Sequence, residues 1–585
     1  MKKAFFAYSG DPITYGHIDL IERAAKKTDK LIVGFGINPN KRPSFSMREK
    51  IDMAKHVLSH IPNIDIVSYT GNIANFAFKK GISVIFRGIR NSSDLEAEKQ
   101  LSDGCKRQGS DVEFEYLEAK NELADVSSTN VKGWAVAQGF IHEYVPLYVK
   151  QRVEARLLSQ YPFGVTGSIA TGKSTLSKKL REIGNKKGIP VFDLDLDSIA
   201  KSIYLASDDY EATREQIFST FGHDLKNDDD SVNIKKLGSI VFNDDAKLDA
   251  LNKIMYKPIK STLQDHMIYR KGLIMHNAAL LAELGMGFLC NNNVVVVDTS
   301  VEEQRRRLEE RVSNGFMTKE QIERRLGSQY TSQKKKEIIQ SWIDKTSQGK
   351  IWNVDSTRIK SDNYYELFFD TVIKPVDIYG ELRFAALWTR INGDGFYDSA
   401  YQKIISSYLD PRKHHHDMDH IMMGVNAHDE FNFLAECPDT VLAAWFGHDS
   451  VMSLFSNIDE EKSGTFSQSI YTGPLVEKTF SENVKNLTVK GTKHHEIPKE
   501  RDAKLLTCYD LMIFAQDYSR VLEYDNDIRL EYIQVPQDEF KIGRRQVLEK
   551  FADKNRRIFP IDEIADLYEN KAKDNLQRLI KERYN

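Results

Sequence analysis

A phosphate-binding pattern lies in the first third of the chain, where residues 167–175 read GSIATGKST. The pattern matches G-x-x-x-x-G-K-[ST], and it stands between an apolar run, residues 163–166, and a helix-forming segment. In such a loop backbone N–H groups approach the phosphates, Lys173 offers positive charge to the β and γ groups, and Ser174 can ligate Mg²⁺. The predicted ATP-binding residues are Gly167, Ala170, Thr171, Gly172, Lys173, Ser174 and Thr175.

Three aspartates, Asp193, Asp195 and Asp197, follow this loop in the segment VFDLDLDSIAK. Carboxylates at the end of a predicted strand could orient an acceptor hydroxyl or Mg²⁺. Their D-x-D-x-I-A pattern, the P-loop, a Phe-Gly pair, and the VFNDDAKLDALNKI and VVVVD stretches together resemble dephospho-coenzyme A kinase over residues 161–375. The resemblance implies transfer of the ATP γ-phosphoryl group to the ribose 3′-hydroxyl of dephospho-CoA. It further implies that Asp197 is the catalytic base and that Arg307 stabilises the transferring phosphate.

A second group of phosphate-friendly residues lies near the N-terminus, in the segment GDPITYGH that ends at His17. Thr14 and His17 are predicted at the start of a helix, where anionic oxygens bind and an imidazole can donate to a phosphate in transfer. Three further segments with polar or basic residues follow in the same α/β pattern, at residues 38–45, 86–90 and 126–129.

Together these segments resemble the bacterial type of phosphopantetheine adenylyltransferase across residues 1–150, in the same order and nearly the same spacing. The resemblance implies in-line attack by the 4′-phosphate of phosphopantetheine on the α-phosphorus of ATP, releasing pyrophosphate, with His17 as the catalytic residue. Ser9 and Gly10 stand where the family usually has threonine and phenylalanine. The implied acceptor-binding residues are Ser9, Lys41, Ile73 and Arg87, and the implied nucleotide-binding residues are Ser9, Gly10, His17, Gly88, Arg90, Glu98, Ser127, Ser128 and Thr129.

The last third of the chain contains His416, the doublet His448-Asp449 and Asp510. Imidazole and carboxylate together suit a borderline or hard divalent metal that polarises water for phosphoester hydrolysis. The order H…HD…D resembles the HD superfamily of metal-dependent phosphohydrolases over residues 380–585. The resemblance implies that these four residues bind Mn²⁺, Fe, Mg²⁺ or another divalent ion, and it leaves the substrate open.

The elements that must position these residues change in character along the chain. Short apolar runs alternate with helix-forming segments in two parts of it, which predicts parallel sheets with crossover helices. We expect a multidomain chain with an α/β Rossmann-like nucleotidyltransferase over residues 1–150 and an α/β P-loop kinase over residues 161–375. The charged stretch at residues 146–160 is interpreted as a linker. Long amphipathic helices then predict an all-α HD domain over residues 380–585.

Composition limits the classes of function. The chain has 585 residues, and its net charge of −3 gives no global field that would attract nucleic acid or an anionic membrane. Its four cysteines form no CxxC pair, which favours a reducing compartment over a disulfide framework. We find no signal-peptide core and no apolar run long enough to span a bilayer. We therefore expect a soluble, cytoplasmic protein without nucleic-acid or membrane partners.

The main hypothesis is a fused enzyme for the last two steps of coenzyme A biosynthesis, with an added HD phosphohydrolase. Its expected partners are 4′-phosphopantetheine, dephospho-CoA and ATP with Mg²⁺, and a homo-oligomeric assembly stays open. One alternative makes the HD domain a nucleotide or metal sensor without turnover. Another keeps the first fold but has it adenylylate or cytidylylate a different acceptor.

Overall fold

The chain forms two compact units, which are described separately. One unit joins Met1–Asp125 to Tyr379–Asn585, and the other is Val126–Ile378. The computed structural model describes residues 2–584 with the exception of residues 37–42, 70, 242–243, 315–317, 320–321, 324–325, 327–328, 360, 393–396, 411, 454–457, 474 and 494–496.

The N-terminal part of the first unit is a parallel five-stranded sheet with the order β3-β2-β1-β4-β5. Phe5 in the central strand lies beside Ile32 and Ile85, and all three side chains are buried, as the alternation of apolar runs predicted. The strands are β1 (Lys3–Tyr8), β2 (Lys30–Gly36), β3 (Ile64–Tyr69), β4 (Val84–Ile89) and β5 (Glu113–Glu118). The helices are α1 (Tyr15–Lys26), α2 (Met47–Val57), α3 (Ile73–Lys80) and α4 (Ser92–Arg107).

The second unit is built on another parallel five-stranded sheet, with the order β10-β9-β6-β8-β7. Its strands are β6 (Gln160–Thr166), β7 (Val191–Asp195), β8 (Gly272–Asn277), β9 (Asn293–Asp298) and β10 (Lys350–Asp355). Its helices are α5 (Ser128–Val136), α6 (Leu147–Val153), α7 (Lys173–Lys187), α8 (Leu196–Ile203), α9 (Glu211–Phe221), α10 (Ile234–Val241), α11 (Asp245–Met267), α12 (Val301–Ser313), α13 (Ser332–Thr346) and α14 (Asn363–Val376). The central strand β6 leads directly into the predicted phosphate-binding loop.

The segment interpreted as a linker is instead a packed part of the second unit. Lys150 in α6 is buried, and its ammonium lies 2.5 Å from a carboxylate oxygen of Glu154 and 3.1 Å from the amide oxygen of Asn291. The amide of Asn291 also donates to the other Glu154 oxygen at 2.7 Å. Because each buried charge has a partner, the charged sequence of this segment is compatible with burial.

The C-terminal part of the first unit is helical throughout the residues that the structure describes, as predicted. Its helices are α15 (Glu381–Asn392), α16 (Asp398–Tyr408), α17 (Met418–Phe431), α18 (Pro438–Gly447), α19 (Asp459–Ile470), α20 (Lys478–Gly491), α21 (Arg501–Leu511), α22 (Tyr518–Glu531), α23 (Gln537–Ala552) and α24 (Asp562–Arg583). In the described part of the chain, none of the helices combines the length and the apolar character needed to cross a bilayer.

Candidate active sites

The loop between β6 and α7 has the backbone of a phosphate cradle. Gly167 and Gly172 have φ angles of 152° and 102°, which side-chain-bearing residues rarely adopt. A Cβ at Gly167 would also lie 2.2 Å from the carbonyl oxygen of Val297, so glycine is required there. The ammonium of Lys173 donates to the carbonyl oxygens of Gly167 at 2.7 Å and Ser168 at 3.1 Å. The lysine is therefore held across the mouth of the loop.

Arg307 of α12, the residue predicted to stabilise the transferring phosphate, contacts the same loop. Its Nη1 donates to the carbonyl oxygen of Ala170 at 3.1 Å and to the Ser356 hydroxyl at 3.0 Å. Its Nε donates to Glu303 at 2.7 Å, one helical turn earlier. The guanidinium is thus fixed beside the residues that would surround the terminal phosphate.

Asp197 lies in the first turn of α8, directly after β7. Asp195 caps this helix by accepting hydrogen bonds from the backbone N–H groups of Asp197 at 3.0 Å and Ser198 at 3.2 Å. Burial lowers the pKa of Lys173 to about 8, and the negative charge of Asp197 acts in the opposite direction. The predicted base and the P-loop lysine therefore interact electrostatically.

His17 lies in the first turn of α1, above the carboxyl end of β1. Its Nδ1 lies 3.1 Å from the backbone nitrogen of Thr14 and accepts that N–H in a capping box. Because Nδ1 accepts, the ring proton is on Nε2, which is left as a donor. Burial, and then the positive charge of Arg90, lower the pKa of His17 to about 4. The neutral imidazole is therefore the form present at physiological pH.

Gly10 has a structural reason for differing from the phenylalanine usual in the resembling family. A Cβ at this position would lie 2.6 Å from the ring of Phe35 and 2.7 Å from that of Tyr8. The centroid of the Tyr8 ring lies 5.0 Å from that of His17. Aromatic side chains from β1 and β2 thus occupy the space beside the candidate site.

Arg87 and Glu98, predicted to hold acceptor and nucleotide respectively, are paired with each other. Two N–H groups of Arg87 donate to the two carboxylate oxygens of Glu98, each at 2.6 Å, and a third donates to the carbonyl oxygen of Ala7 at 2.6 Å. Arg90 is bonded instead to Asp94 at 2.9 Å. The bidentate pair fixes the guanidinium against Glu98 of α4, and the bond to Ala7 keeps it close to the carboxyl end of β1.

The remaining residues predicted for the nucleotidyl-transfer site have no described side-chain contact with His17 or Arg87. Ile73 is buried at the start of α3, and Ser9 and Gly88 lie next to or in strands of the first sheet. Lys41 lies outside the described residues. Ser127 caps α5, followed by Ser128 and Thr129 in its first turn, and all three belong to the second compact unit. Their role in the nucleotide site stays a prediction.

Four side chains of the helical part converge on one point. Ligand atoms of His420, His448, Asp449 and Asp510 all lie within 4.8 Å of one another. The Nε2 atoms of the two histidines are 3.0 Å apart, and the Nε2 atom of His448 lies 3.1 Å from an Asp449 oxygen. Two imidazoles and two carboxylates with facing lone pairs form a donor set suited to a divalent cation.

An outer hydrogen bond orients His448, as is usual for histidines in protein metal sites. Nδ1 of His448 lies 2.7 Å from the carbonyl oxygen of Trp445, which places its proton on Nδ1 and turns Nε2 toward the cluster. Burial opposes the charged form of His448, but Asp449 and Asp510 outweigh it and raise its pKa to about 10. The carboxylates therefore create a potential that favours positive charge at this point.

His416, the predicted first ligand, stands beside the cluster. Its Nε2 lies 3.7 Å from an Asp449 oxygen, and its Nδ1 lies 2.9 Å from Glu531. The same Glu531 carboxylate accepts from the backbone N–H groups of His414, His415 and His416 at 2.8, 2.8 and 3.1 Å. The structure thus adds His420 to the candidate ligands and fixes His416 next to them.

Two protein families match separate parts of the chain, and each match contains one of the two phosphate-binding candidate sites. The family described as cytidylyltransferase-like matches residues 9–133, and the family described as dephospho-CoA kinase matches residues 161–350. The chain contains a cytidylyltransferase-like domain and a dephospho-CoA kinase domain. Together the two domains support a role in coenzyme A biosynthesis.

Solved structures with detectable likeness cover parts of the chain. The protein TT1252 from Thermus thermophilus is 23% identical over 37% of this chain and 96% of its own, with a TM-score of 0.28. A dephospho-CoA kinase from Campylobacter jejuni is 22% identical over 37% of this chain and 98% of its own, with a TM-score of 0.23. A NadR protein in complex with NR is 12% identical over 64% of this chain and 96% of its own, also with a TM-score of 0.23.

The helical region beyond the dephospho-CoA kinase domain orients its cluster through tight packing. Trp445 stacks on His448 with ring centroids 3.9 Å apart, and its indole N–H donates to the carbonyl oxygen of Ile421 at 2.8 Å. The indole passes directly over Gly424 in α17, where a Cβ would lie 1.9 Å from the ring. Glycine at this position is what allows Trp445 to support the histidine.

We expect Gly424→Ala to destabilise the helical region by about 1–3 kcal/mol, because the added methyl group must displace Trp445. The thermal unfolding midpoint of the full chain measures the change. Gly543→Ala in α23 is the matched control, since a Cβ there meets nothing within 4 Å. Alanine should stabilise that helix by up to about 1 kcal/mol. Equal midpoints for the two variants would contradict the packing argument.

Proposed function

We propose that the chain catalyses the last two steps of coenzyme A biosynthesis. The first step is adenylyl transfer from ATP to 4′-phosphopantetheine, and the second is phosphorylation of the resulting dephospho-CoA at its ribose 3′-hydroxyl. The observation that carries the proposal is the pairing of a helix-start histidine site with a complete P-loop site in two consecutive domains. The product of the first reaction is the acceptor of the second, so both activities on one chain form a sequence.

In the kinase reaction the phosphate-binding groups surround the transferring phosphoryl group. Lys173 and Arg307 neutralise its developing negative charge, and Ser174 helps to hold the Mg²⁺ that accompanies ATP. Asp197 orients the 3′-hydroxyl and accepts its proton as the new P–O bond forms. Loop carbonyls hold the Lys173 and Arg307 side chains at the phosphate loop, and the Asp195 cap fixes the backbone that carries Asp197.

In the adenylyl-transfer reaction the chain needs no covalent nucleophile. The acceptor phosphate attacks the α-phosphorus of ATP in line, and pyrophosphate leaves. The Nε2–H group of His17 donates to a non-bridging α-phosphate oxygen, and the N-terminus of α1 adds a favourable potential. Arg87 lies in β4, the neighbour of β1 in the sheet, and Arg90 directly follows that strand; both would contribute positive charge for the acceptor and the nucleotide.

The direct test is to incubate the full chain with 4′-phosphopantetheine, ATP and Mg²⁺ and to follow products by mass spectrometry. We expect dephospho-CoA first and then coenzyme A. If coenzyme A forms from added dephospho-CoA but not from phosphopantetheine, the acceptor of the first domain is different. Replacing ATP by CTP in the first step distinguishes adenylyl from cytidylyl transfer, because a cytidylyltransferase would form the cytidine analogue of dephospho-CoA, which mass spectrometry separates from dephospho-CoA.

We further propose that the helical region is a metal-dependent phosphohydrolase that acts on a phosphate of a coenzyme A precursor, product or damaged derivative. His420, His448, Asp449 and Asp510 would hold the cation, with His416 as an adjacent ligand or substrate contact. When bound, the cation would lower the pKa of a water molecule and so supply the nucleophile. Lys413, whose ammonium donates to the carbonyl oxygens of Asp449 at 2.6 Å and Ser450 at 3.0 Å, fixes the doublet in place.

Changing His448 and Asp449 together to alanine is expected to abolish stoichiometric metal binding, because half of the donor set is lost. Metal content after dialysis against Mn²⁺ or Fe²⁺ measures this, and phosphate release from coenzyme A and its precursors measures turnover. His60→Ala is the control, since His60 also pairs with a carboxylate, Glu22, but is exposed. Metal binding by the unaltered chain without phosphate release would favour a sensor over an enzyme.

A further inference from the structure

Helix α2 of the cytidylyltransferase-like domain packs against the turn that carries the first histidines of the metal centre. Arg48, in the first turn of α2, is only 9% exposed. Its Nε lies 3.1 Å from a carboxylate oxygen of Asp419, and its Nη1 lies 2.7 Å from one of Asp527. The two carboxylates belong to α17 and α22, so one guanidinium joins two helices of the other part of this unit to α2.

Ser46, the N-cap of α2, makes a second connection to the same turn. Its hydroxyl donates to one carboxylate oxygen of Asp417 at 3.1 Å. The other Asp417 oxygen accepts from the backbone N–H groups of Asp419 at 2.9 Å and His420 at 3.3 Å, which caps α17. The starts of α2 and α17 therefore share one hydrogen-bonded junction, and His416 and His420 lie on either side of Asp417.

The α2 side of this junction is itself fixed. Asp11, in the loop that leads to His17, accepts hydrogen bonds from the backbone N–H groups of Ser44 at 3.0 Å and Phe45 at 3.0 Å. Ser46 also takes part in a capping box, because its backbone N–H donates to Glu49 at 2.7 Å. Because residues 44–46 are held in this way, Ser46 can fix the position of Asp417.

Charge explains why the contact is more than packing. Asp417, Asp419 and Asp527 stand close together, with Glu523 also within 3.5 Å of the Arg48 guanidinium. Arg520 is a second cation near this cluster, 3.9 Å from Asp527, but among the described contacts Arg48 alone bonds both Asp419 and Asp527. Without Arg48, repulsion among these carboxylates would be less well balanced and would loosen the start of α17. A guanidinium suits the position because its rigid planar fork directs several N–H donors at separate carboxylates, whereas an ammonium is a compact charge on a flexible stem with fewer donors.

We infer that Ser46 and Arg48 of the cytidylyltransferase-like domain are positioning residues of the metal centre, holding the Asp417–Asp419 turn so that His416 and His420 face the other ligands. The metal centre is thus built by two parts of the chain that are more than 300 residues apart in sequence. The inference rests on the metal site proposed above. The geometry of that metal site would then depend on the cytidylyltransferase-like domain, which has a different activity.

Arg48→Ala in the full chain tests this directly. We expect Mn²⁺ affinity to fall about 10- to 100-fold, the range seen when outer-sphere partners of metal ligands are removed. Mn²⁺ titration followed by electron paramagnetic resonance measures the affinity. The visible absorption of a Co²⁺-loaded sample should also change, because altered ligand geometry changes its d–d bands. Arg48→Lys should recover part of the affinity, since it restores one positive charge.

Lys55→Ala is the matched control, because Lys55 lies on the same helix and contacts Glu523 at 2.8 Å from an exposed position. It should bind Mn²⁺ as the unaltered chain does. If Arg48→Ala fails to fold, Ser46→Ala provides the test, with a several-fold loss expected. Unchanged affinity and unchanged Co²⁺ spectrum in a folded Arg48→Ala or Ser46→Ala chain would overturn the inference. Failure of the unaltered chain to bind any divalent metal would instead overturn the proposed metal site.

Discussion

Asp197→Asn is expected to lower the rate of dephospho-CoA phosphorylation by about 10²- to 10⁴-fold, the contribution typical of a general base. Asparagine has nearly the same shape as aspartate, so helix α8 and its Asp195 cap should persist. The amide cannot accept the proton of the 3′-hydroxyl. It also removes the negative charge that opposes the lowering of the Lys173 pKa, so some weakening of ATP binding should accompany the loss.

The rate is measured with added dephospho-CoA, ATP and Mg²⁺, which makes the result independent of the first domain. Asp208→Asn, in the exposed turn before α9, is the control and should leave the rate unchanged. Adenylyl transfer by the Asp197→Asn chain should also be unchanged, so dephospho-CoA should accumulate from phosphopantetheine. A loss of less than about tenfold in phosphorylation would mean that another group accepts the proton.

The features that sequence predicted best are those encoded within a few neighbouring residues. The P-loop is one such feature, because β6, the glycine-rich loop and the start of α7 with its lysine follow one another directly in the chain. The position of Arg307 could be anticipated only through family resemblance, since its contact with Ala170 spans 137 residues. The family matches cover both α/β domains, and the helical character of the last third followed from its amphipathic pattern.

The parts that sequence reasoning missed depend on contacts between distant segments. His420 was not among the predicted ligands, although it stands only four residues after His416. His416 precedes the N-cap of α17 and His420 lies in its first turn, so the helix start decides how the two rings are arranged. Which imidazole points inward is decided by Glu531, which draws Nδ1 of His416 toward α22. The burial of residues 146–160 was missed for a similar reason, because Lys150 and Glu154 neutralise each other and both bond the amide of the distant Asn291.

The grouping of the first and last parts of the chain in one compact unit is the clearest case. No local pattern marks Arg48 as different from the other charged residues of α2, and its helix has an ordinary amphipathic face. Its partners Asp419 and Asp527 are 371 and 479 residues away. Sequence can identify the domains, but the junction that ties the proposed metal site to a helix of the cytidylyltransferase-like domain is a property of the folded chain.

His17→Ala is expected to lower the rate of adenylyl transfer by about 10²- to 10³-fold, the loss seen when one preorganised donor to a developing oxyanion is removed. The imidazole is positioned by the Thr14 N–H, so its Nε2–H group is present without rearrangement. His17→Gln should recover part of the rate because its amide can donate to the same oxygen. Dephospho-CoA phosphorylation by the second domain should stay unchanged in both variants.

The pH dependence of the unaltered chain tests the same assignment from another side. Because the pKa of His17 is lowered to about 4, its neutral form persists as pH falls from 8 to 5, and it contributes no activity loss in that range. Below about pH 4 a proton on Nδ1 would break the bond from Thr14. The unfolded chain binds this proton near pH 6.5, so the neutral histidine contributes stability that is lost between about pH 6.5 and 4. The contrary result would be a rate of adenylyl transfer that falls near pH 6.5 in the unaltered chain but not in His17→Gln. It would mean that His17 has an ordinary pKa and that the assignment of a buried, neutral imidazole is wrong.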